Sequence, residues 1–115
     1  MTGIGQRART SSKAPCSVTR SLEVVGDRWT LLLLLRAFEG TNRFEGFREE
    51  LGIARNILSG RLRHMVEEEL FERVRYQQHP DRFEYRLTPK GRDLADVLGA
   101  FRRWGDRWLG GRERS

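Results

Sequence analysis

The spacing of apolar residues predicts three helices in the first half of the chain. Apolar positions recur at helical intervals in 17–25 and again in 43–51, and Gly26 and Gly52 are natural stops for these two helices. Between them, residues 29–38 are apolar almost all round. A helix that is apolar on nearly every side is buried, so we expect this one in the middle of the fold.

Residues 52–70, with the sequence GIARNILSGRLRHMVEEEL, read as one amphipathic helix with an unusual order of charge. Its apolar face carries Ala54, Leu58, Leu62 and Met65. Its outer face near the start carries Asn56, Ser59, Gly60 and Arg63. The arginines lie in the first half and the glutamates in the second, although acids suit the positive, N-terminal end of the helix dipole. Packing alone does not explain this order.

Two stretches that alternate every second residue follow, at 71–77 and 83–88, on either side of a polar and basic segment. This pattern predicts a β-hairpin. Thr88-Pro89 is a strong helix start, with Thr as N-cap and Pro at the first helical position. We expect one last helix that runs to about Leu109 and carries an apolar stripe of Leu94, Val97, Leu98, Phe101, Trp104 and Trp108.

The two ends of the chain are polar. Residues 1–14 are rich in Gly, Ser and Thr, contain basic residues and lack acids, so we predict a disordered arm. This arm is either an ordinary solvated terminus or a segment that reaches a DNA groove. Residues 110–115 are predicted to be a frayed tail, which leaves one folded domain at 15–109.

Composition and charge favour an acidic partner. The chain has 115 residues, of which 33% are charged, and its net charge of +6 favours nucleic acid first and an anionic membrane second. Arginine outnumbers lysine twenty to two, but a GC-rich genome gives the same bias. Only 37% of the residues are hydrophobic, as in a small domain with much surface that a partner chain completes.

Several functional classes have no support in the sequence. The single cysteine, Cys16, excludes an intrachain disulfide and a cysteine-based zinc site, and we predict a cytoplasmic protein. No apolar run approaches the roughly 20 residues needed to span a bilayer, and we expect no membrane association. His64 and His79 are expected on the surface and in the hairpin, without a ligand set. We predict no metal, no cofactor and no enzymatic activity.

The order of the predicted elements identifies the fold. A short helix, a turn with glycine, a helix with a basic outer face and a hairpin make a winged helix-turn-helix, so we predict a mainly α fold with a small β-hairpin (α+β). The charge order then has a reason, because the start of a recognition helix faces bases and phosphates. The candidate DNA-binding residues are Arg55, Asn56, Ser59, Gly60 and Arg63 on the helix, and Gln78, His79 and Arg82 on the wing.

Two residues of the recognition helix need separate comment. Gly60 costs roughly 1 kcal/mol against Ala in a helix, so it either allows a close approach or is a chance surface glycine. Arg61 lies nearer the packed side than Arg63 and is expected to matter less for DNA. Arg63 and Arg55 are the side chains best suited to guanine.

The chain resembles the HxlR-type winged helix-turn-helix transcriptional regulators from Cys16 to Leu109. The matching motifs, in order, are C-S-V-x-x-x-L-x-V-V-G-D-R-W-T-L-L at 16–32, R-F-x-x-F at 43–47, G-I-A-R-x-x-L-S-x-R-L at 52–62, Y-R-L-T-P-K-G-R-x-L at 85–94 and the pair Trp104-Gly105. The chain departs from the family pattern at several positions. Pro15 precedes Cys16 instead of following it, Asp27 and Glu69 stand in place of usual glycines, and Ala54 replaces a usual Ser cap.

The resemblance implies a homodimer that binds double-stranded DNA at an inverted-repeat operator. It implies that the first and last helices of each chain make the dimer, for which we name Leu94, Leu98, Phe101, Trp104 and Trp108. Part of that stripe is expected to belong to the intrachain core. The alternative, from another functional class, is a winged-helix protein-interaction module without its own operator.

Cys16 is the candidate for redox sensing, because some members of the family carry an oxidation-sensing cysteine at this place. A helix N-terminus and the nearby Arg20 are expected to lower its pKa. No second cysteine in the chain is present to resolve a sulfenic acid, so a disulfide would form between subunits or with a small thiol. The other interpretation is a half-buried cysteine kept for packing. An oxidant or small-molecule inducer is therefore an open possibility.

Overall fold

The computed structural model describes residues 16–110. The elements in chain order are α1 (Ser17–Val25), α2 (Arg28–Phe38), α3 (Phe44–Leu51), α4 (Arg55–Glu67), β1 (Phe71–Gln77), β2 (Arg82–Leu87), α5 (Pro89–Arg92) and α6 (Ala95–Trp108). The predicted arm at 1–14 and the predicted tail beyond Gly110 lie outside the described residues. The mainly α winged helix-turn-helix predicted from the sequence is confirmed.

The turn between α3 and α4 is built around Gly52. This residue is in the left-handed region (φ 63°), where glycine meets no steric penalty, and its N–H donates to the Arg48 carbonyl at 2.9 Å. The next residue, Ile53, is buried in the core and Ala54 is extended. The prediction of one helix over 52–70 was therefore too long at its start.

The same prediction was too long at its end. Helix α4 stops at Glu67, and Glu69 has φ 63°, in the left-handed region that favours glycine. The HxlR-type regulators that the chain resembles usually have a glycine where this chain has Glu69. The chain reverses here, so that Leu70 and Phe71 enter the core as the first strand begins.

The core lies between α2, α3, α4 and the base of the hairpin. Its fully buried side chains come from each of these elements, and they are Leu33, Leu34, Phe47, Leu58, Leu62, Met65, Leu70 and Phe71. The prediction that α2 runs through the middle of the fold is confirmed, since every residue from 29 to 38 is at least partly buried and the face of Thr30, Leu33 and Leu34 has no exposed surface.

The hairpin is antiparallel and is attached to the helices at its base. Phe71 pairs with Leu87 and Arg73 with Tyr85, so alternate residues share a face as the period of two predicted. The Phe71 ring lies 6.0 Å from that of Phe47 and 6.3 Å from that of Tyr85, centroid to centroid. The Tyr85 N–H donates to the Asn42 carbonyl at 2.7 Å. These contacts fix the direction in which the wing leaves the core.

The chain after the hairpin is not one helix, which corrects the prediction. Thr88 caps α5 as expected, since its hydroxyl accepts from the Gly91 N–H at 2.9 Å. The helix stops at Arg92, and at Leu94 the backbone hydrogen bond shifts to the carbonyl of Gly91, three residues back. This tighter turn redirects the chain, and α6 then runs from Ala95 to Trp108.

The apolar stripe of the last helix is divided in two by the fold. Leu94 and Leu98 are partly buried against the core, in line with the expectation that part of this stripe belongs to the intrachain core. Phe101 and Trp104 are each 58% exposed, and Trp108 is 64% exposed. Within the part of the chain that the structure describes, no helix is long and apolar enough to cross a membrane.

Candidate nucleic-acid interface

The outer face of α4 is accessible along its whole length. Arg55, Asn56, Ser59 and Arg63 are exposed, and Gly60 is half-buried. The first turn of α4 carries no acid of its own to offset the positive end of the helix dipole. A Cβ at Gly60 would meet no atom within 4 Å, so the chain itself does not require a glycine there. The residues predicted for the recognition helix therefore share one solvent-facing surface.

A groove runs between α4 and the wing. It has a volume of about 300 Å³, and its lining includes Ser59 and Arg63 from α4 and Arg73 from β1. The Arg73 Cζ atom lies 3.7 Å from the centre of the Phe83 ring, so a cation–π contact holds the guanidinium in place. Two arginines from different elements thus lie along one groove, and sequence reasoning missed Arg73.

The arginines of the recognition helix differ in their intramolecular partners. Arg55 donates to the Glu45 carboxylate at 2.8 Å and lies 5.8 Å from the Phe44 ring. Hydrogen bonding from Arg48, followed by that from Arg55, outweighs desolvation and lowers the pKa of Glu45. Within residues 16–110, Arg63 makes no such ion pair. Arg63 is therefore the freer of the two guanidinium groups for a base edge.

The wing tip presents the other predicted residues to solvent. Gln78, His79 and Arg82 are all exposed, beyond an irregularity in the ladder where Gln77 pairs with Arg82. The nearest ion pair, Arg75 with Asp81 at 3.5 Å, leaves Arg82 out. These side chains are gathered at the end of the hairpin and do not line the groove beside α4.

The opposite flank of α4 is tied to the junction between α1 and α2. Arg61 donates to Asp27 Oδ1 at 3.2 Å, in line with its predicted place nearer the packed side. His64 Nε2–H donates to the Val24 carbonyl at 2.8 Å, and because a carbonyl only accepts, Nε2 carries the proton. His64 is partly buried, so its predicted place on the open surface was wrong.

Asp27 has a second task, because it caps α2. Its carboxylate accepts from the Thr30 N–H at 3.0 Å and from the Thr30 hydroxyl at 2.6 Å. Desolvation, the largest single effect, raises the pKa of Asp27, but the Thr30 hydrogen bonds and the charge of Arg61 together lower it below its usual value. The side chain is therefore ionised at neutral pH.

Cys16 lies at the N-cap of α1 and is exposed, so it is not a packing residue within residues 16–110. Its sulfur is 3.3 Å from the Thr19 hydroxyl. Hydrogen bonds from the Thr19 side chain and backbone lower the pKa of Cys16. Arg20 is not among the causes, so the expected contribution of this arginine was wrong. The pKa is lowered first by the Thr19 hydroxyl and then by backbone N–H groups at the start of α1.

Comparison with known families agrees with this geometry. The sequence profile of the HxlR-like helix-turn-helix family matches residues 24–113. The chain belongs to this family. The match covers the α1–α2 junction, the helix-turn-helix, the wing and α6.

HxlR-like relatives include proteins named as transcriptional regulators. An uncharacterised HTH-type transcriptional regulator of Mycobacterium tuberculosis is 53% identical over 93 residues, which are 81% of this chain and 59% of that protein. The chain thus matches 59% of the length of this relative. MalR of Fusobacterium mortiferum, named as a regulatory protein, is 30% identical over 82% of this chain and 91% of its own length.

Solved structures of the same architecture include HypR and YodB, each in a reduced form. Reduced HypR, a redox regulator, superposes with a TM-score of 0.74 at 30% identity and covers 82% of this chain and 96% of its own. The reduced form of the transcriptional regulator YodB from Bacillus subtilis has a TM-score of 0.71 at 26% identity, over 87% of this chain and 100% of its own.

Proposed function

We propose that this HTH-type regulator binds duplex DNA sequence-specifically, as a cytoplasmic homodimer on an inverted-repeat operator. The observation that carries the proposal is the groove between α4 and the wing, where Ser59, Arg63 and Arg73 lie together. Its basic residues come from a helix and a strand that the hydrophobic core holds in fixed relation. No enzymatic step, cofactor or metal enters the proposal.

Base reading is assigned to the free surface of the recognition helix. Arg63 has a fork of donors that fits the O6 and N7 atoms of guanine, and each such bidentate contact is worth about 1–3 kcal/mol of discrimination. The Asn56 amide can likewise pair with the N6 and N7 atoms of adenine. Arg55 reaches DNA only by exchanging its contact with Glu45 for a phosphate or a base, which offsets part of its gain.

The wing supplies phosphate contacts. Arg73, stacked on Phe83, meets the backbone with little loss of side-chain entropy, whereas Arg82, Gln78 and His79 at the tip reach further along the duplex. Contacts of this kind position a protein without specifying a sequence. The recognition helix therefore sets specificity, and the wing adds affinity that depends on salt.

The test compares Arg63→Ala with Arg102→Ala, which removes the same charge from an exposed site on α6. Fluorescence anisotropy is measured with an operator selected from random duplexes and with unselected duplex. Arg63→Ala is expected to weaken operator binding by about 1–3 kcal/mol and to flatten base preference, while Arg102→Ala changes neither. Equal operator affinity for folded Arg63→Ala and wild type would refute the assignment.

Failure of the wild type to bind any duplex would leave the second candidate function. That function is a winged-helix module that binds another protein. The groove favours DNA over this alternative, because its two arginines, Arg63 and Arg73, outnumber its one acid, Glu67, and clustered guanidinium groups match a phosphate backbone.

Dimerisation is assigned to the exposed half of the α6 stripe. Val97, Phe101 and Trp104 line a shallow apolar depression with a volume of about 690 Å³, which no residue of 16–110 fills. Val18 and Leu22 on α1 are also exposed, as the predicted pairing of both end helices requires. Two recognition helices related by a two-fold axis would bind half-sites about 34–36 Å apart.

A response to oxidants is assigned to Cys16. Its exposure, its lowered pKa and the likeness to the redox regulator HypR support this assignment. The Cys16 thiolate would attack a peroxide and break its O–O bond, which leaves a sulfenic acid and reduces the peroxide to water or an alcohol. The sulfenic acid would then condense with a small thiol or with Cys16 of the second subunit, and water would leave as the disulfide forms. Cys16→Ser is expected to bind the operator as wild type does when reduced and to lose the response to diamide. Wild-type binding that is indifferent to diamide would refute a sensing role for Cys16.

A further inference from the structure

Two hydrogen-bonded links join the recognition helix to the junction between α1 and α2. They are Arg61 to Asp27 at 3.2 Å and His64 to the Val24 carbonyl at 2.8 Å. Arg61 and His64 are three residues apart, so they lie on one flank of α4, away from Arg63. Asp27 and Val24 lie on either side of Gly26, where the chain passes from one helix to the next.

The core fixes the depth of α4 but controls its rotation less directly. Leu58, Leu62 and Met65 form one buried seam, and a helix held by one seam keeps some freedom to roll about its own axis. Links on one flank oppose that roll. A shift of α4 by a fraction of a turn would move Arg63 away from a base edge while leaving the core intact.

We infer that Asp27 is a positioning residue for DNA recognition, which acts through Arg61 to fix the rotation of α4. The inference rests on the proposed DNA-binding function. Asp27 is suited to this task because Thr30, which is fully buried, holds its carboxylate with two hydrogen bonds. The guanidinium of Arg61 therefore meets an anchored partner rather than a mobile surface acid.

Stability alone does not account for the pair. Arg61 and Asp27 have side chains 35% and 38% exposed, and ion pairs in such positions contribute little to the free energy of unfolding. The Arg61 contact closes a loop between residues 34 apart in sequence, from the N-terminal helices to the recognition helix. Its effect is therefore expected in the orientation of α4, which DNA binding reports.

The direction in which DNA affinity changes when Asp27 is replaced makes the inference testable. Asp27 is an acid on a DNA-binding protein, so removing its charge should by itself strengthen binding to every duplex. If Asp27 instead positions α4, its removal weakens operator binding. Asp27→Ser is the useful variant, because Ser is a good N-cap for α2 but is too short to reach Arg61.

The matched control is Glu39→Ser. Glu39 makes an ion pair with Arg36 at 2.7 Å on α2, with side chains 46% and 36% exposed. The control therefore removes one acid and one partly exposed ion pair, as Asp27→Ser does, but its pair does not involve α4. Thermal unfolding of both variants and the wild type establishes that each is folded at the temperature of the binding assay.

Anisotropy titrations use the selected operator and unselected duplex at several salt concentrations. Asp27→Ser and Arg61→Ala are each expected to weaken operator binding by about 3- to 30-fold and to flatten base preference, with the salt slope unchanged. The double variant is expected to be no weaker than either single variant, because both act through one contact. Glu39→Ser is expected to bind every duplex at least as tightly as the wild type does, with its base preference unchanged.

Variants of His64 test independently whether these hydrogen-bonded links fix the rotation of α4. His64→Leu removes the donor to the Val24 carbonyl and is expected to flatten base preference, whereas His64→Gln keeps an N–H donor and is expected to restore part of it. Recovery by the amide variant would distinguish a positioning hydrogen bond from general packing. Equal base preference in both variants and the wild type would count against the inference.

Three results would overturn the inference. They are wild-type or tighter operator binding by Asp27→Ser, additive losses in the double variant, and a salt slope lowered by about one unit in Arg61→Ala. The last two would mean that Arg61 contacts phosphate itself. Wild-type protein that binds no duplex would refute the proposed function and the inference with it. A wild type that binds, with Asp27→Ser unchanged, would refute only the inference.

Discussion

Helices α4 and α6 carry apolar stripes of the same period but bury them to opposite extents. Leu58, Leu62 and Met65 on α4 have at most 1% of their surface exposed. On α6, Phe101 and Trp104 are each 58% exposed, although they are larger and bury more apolar area when covered. An apolar period therefore identifies an amphipathic helix, but it does not identify what covers the stripe.

The two helices also differ in what holds them helical. Helix α4 has no side-chain cap at Ala54 and an unfavourable residue at Glu69, so its stability depends on its buried seam. Helix α6 contains Gly99 and Gly105, each costing about 1 kcal/mol in helix propensity, and contributes no fully buried hydrophobic residue to the core. The end of α6 needs a cover that the described residues of one chain do not provide.

The largest effect is expected from a cavity in the buried apolar stripe of α4. Leu62→Ala is expected to lower the free energy of unfolding by about 2–5 kcal/mol at every protein concentration, because the cavity lies inside each chain. Phe101→Ala is expected to lower it only at concentrations where the dimer forms. Urea unfolding at two widely separated protein concentrations measures both. A concentration-independent loss of the same size in Phe101→Ala would place that ring in the core of the chain.

The second largest effect concerns dimerisation through the exposed apolar stripe of α6. Phe101→Glu places a charge where the proposed interface must be dry, so it is expected to yield monomers and abolish cooperative operator binding. Arg102→Glu, the next residue along α6, is the control for added negative charge. Sedimentation of the two variants and the wild type gives their masses. A dimeric Phe101→Glu protein would move the interface away from this stripe.

Most of the fold was predictable because its signals are local. Gly52, Thr88 and the alternation on both sides of the wing tip each act within a few residues. The break at Asp93 and Leu94 was missed because apolar positions continue at helical spacing across it. The true start of α4 was missed because Ile53 enters the core from an extended turn, and its apolar character fits a helix equally well.

The site was predictable on α4 and less so elsewhere. The outer face of α4 follows from one helical wheel, so the exposure of Arg63 and Asn56 was expected. Arg73 was missed because alternation divides a strand into two faces without saying which one turns to α4. The Arg61–Asp27 pair was missed because it joins residues 34 apart, and no local pattern records such a contact.

A smaller effect concerns the start of α4. Ala54 already has the extended backbone of an N-cap but lacks an acceptor for the first free N–H groups. Ala54→Ser is expected to raise the free energy of unfolding by about 0.5–1 kcal/mol, as measured by urea unfolding. Ala95→Ser, at the first residue of α6 rather than its cap, is the control and is expected to be neutral or slightly destabilising. No gain in Ala54→Ser would mean that water already satisfies these groups.

The smallest expected effect concerns the end of α4. A non-glycine residue in the left-handed region costs roughly 1–2 kcal/mol, and Glu69 has φ 63°. Glycine removes that cost but adds roughly 0.5–1 kcal/mol of backbone entropy to the unfolded chain. The first effect is larger, so Glu69→Gly is expected to raise the free energy of unfolding by about 0.5 kcal/mol.

Glu68→Gly is the matched control for this last change, since Glu68 has an ordinary φ of −85° and the same charge. It gains nothing from glycine and is expected to lower the free energy of unfolding by about 0.5–1 kcal/mol. The two variants should therefore shift the urea midpoint in opposite directions with equal slopes. A loss of stability in both would mean that the Glu69 side chain makes a contact worth more than its strained backbone costs.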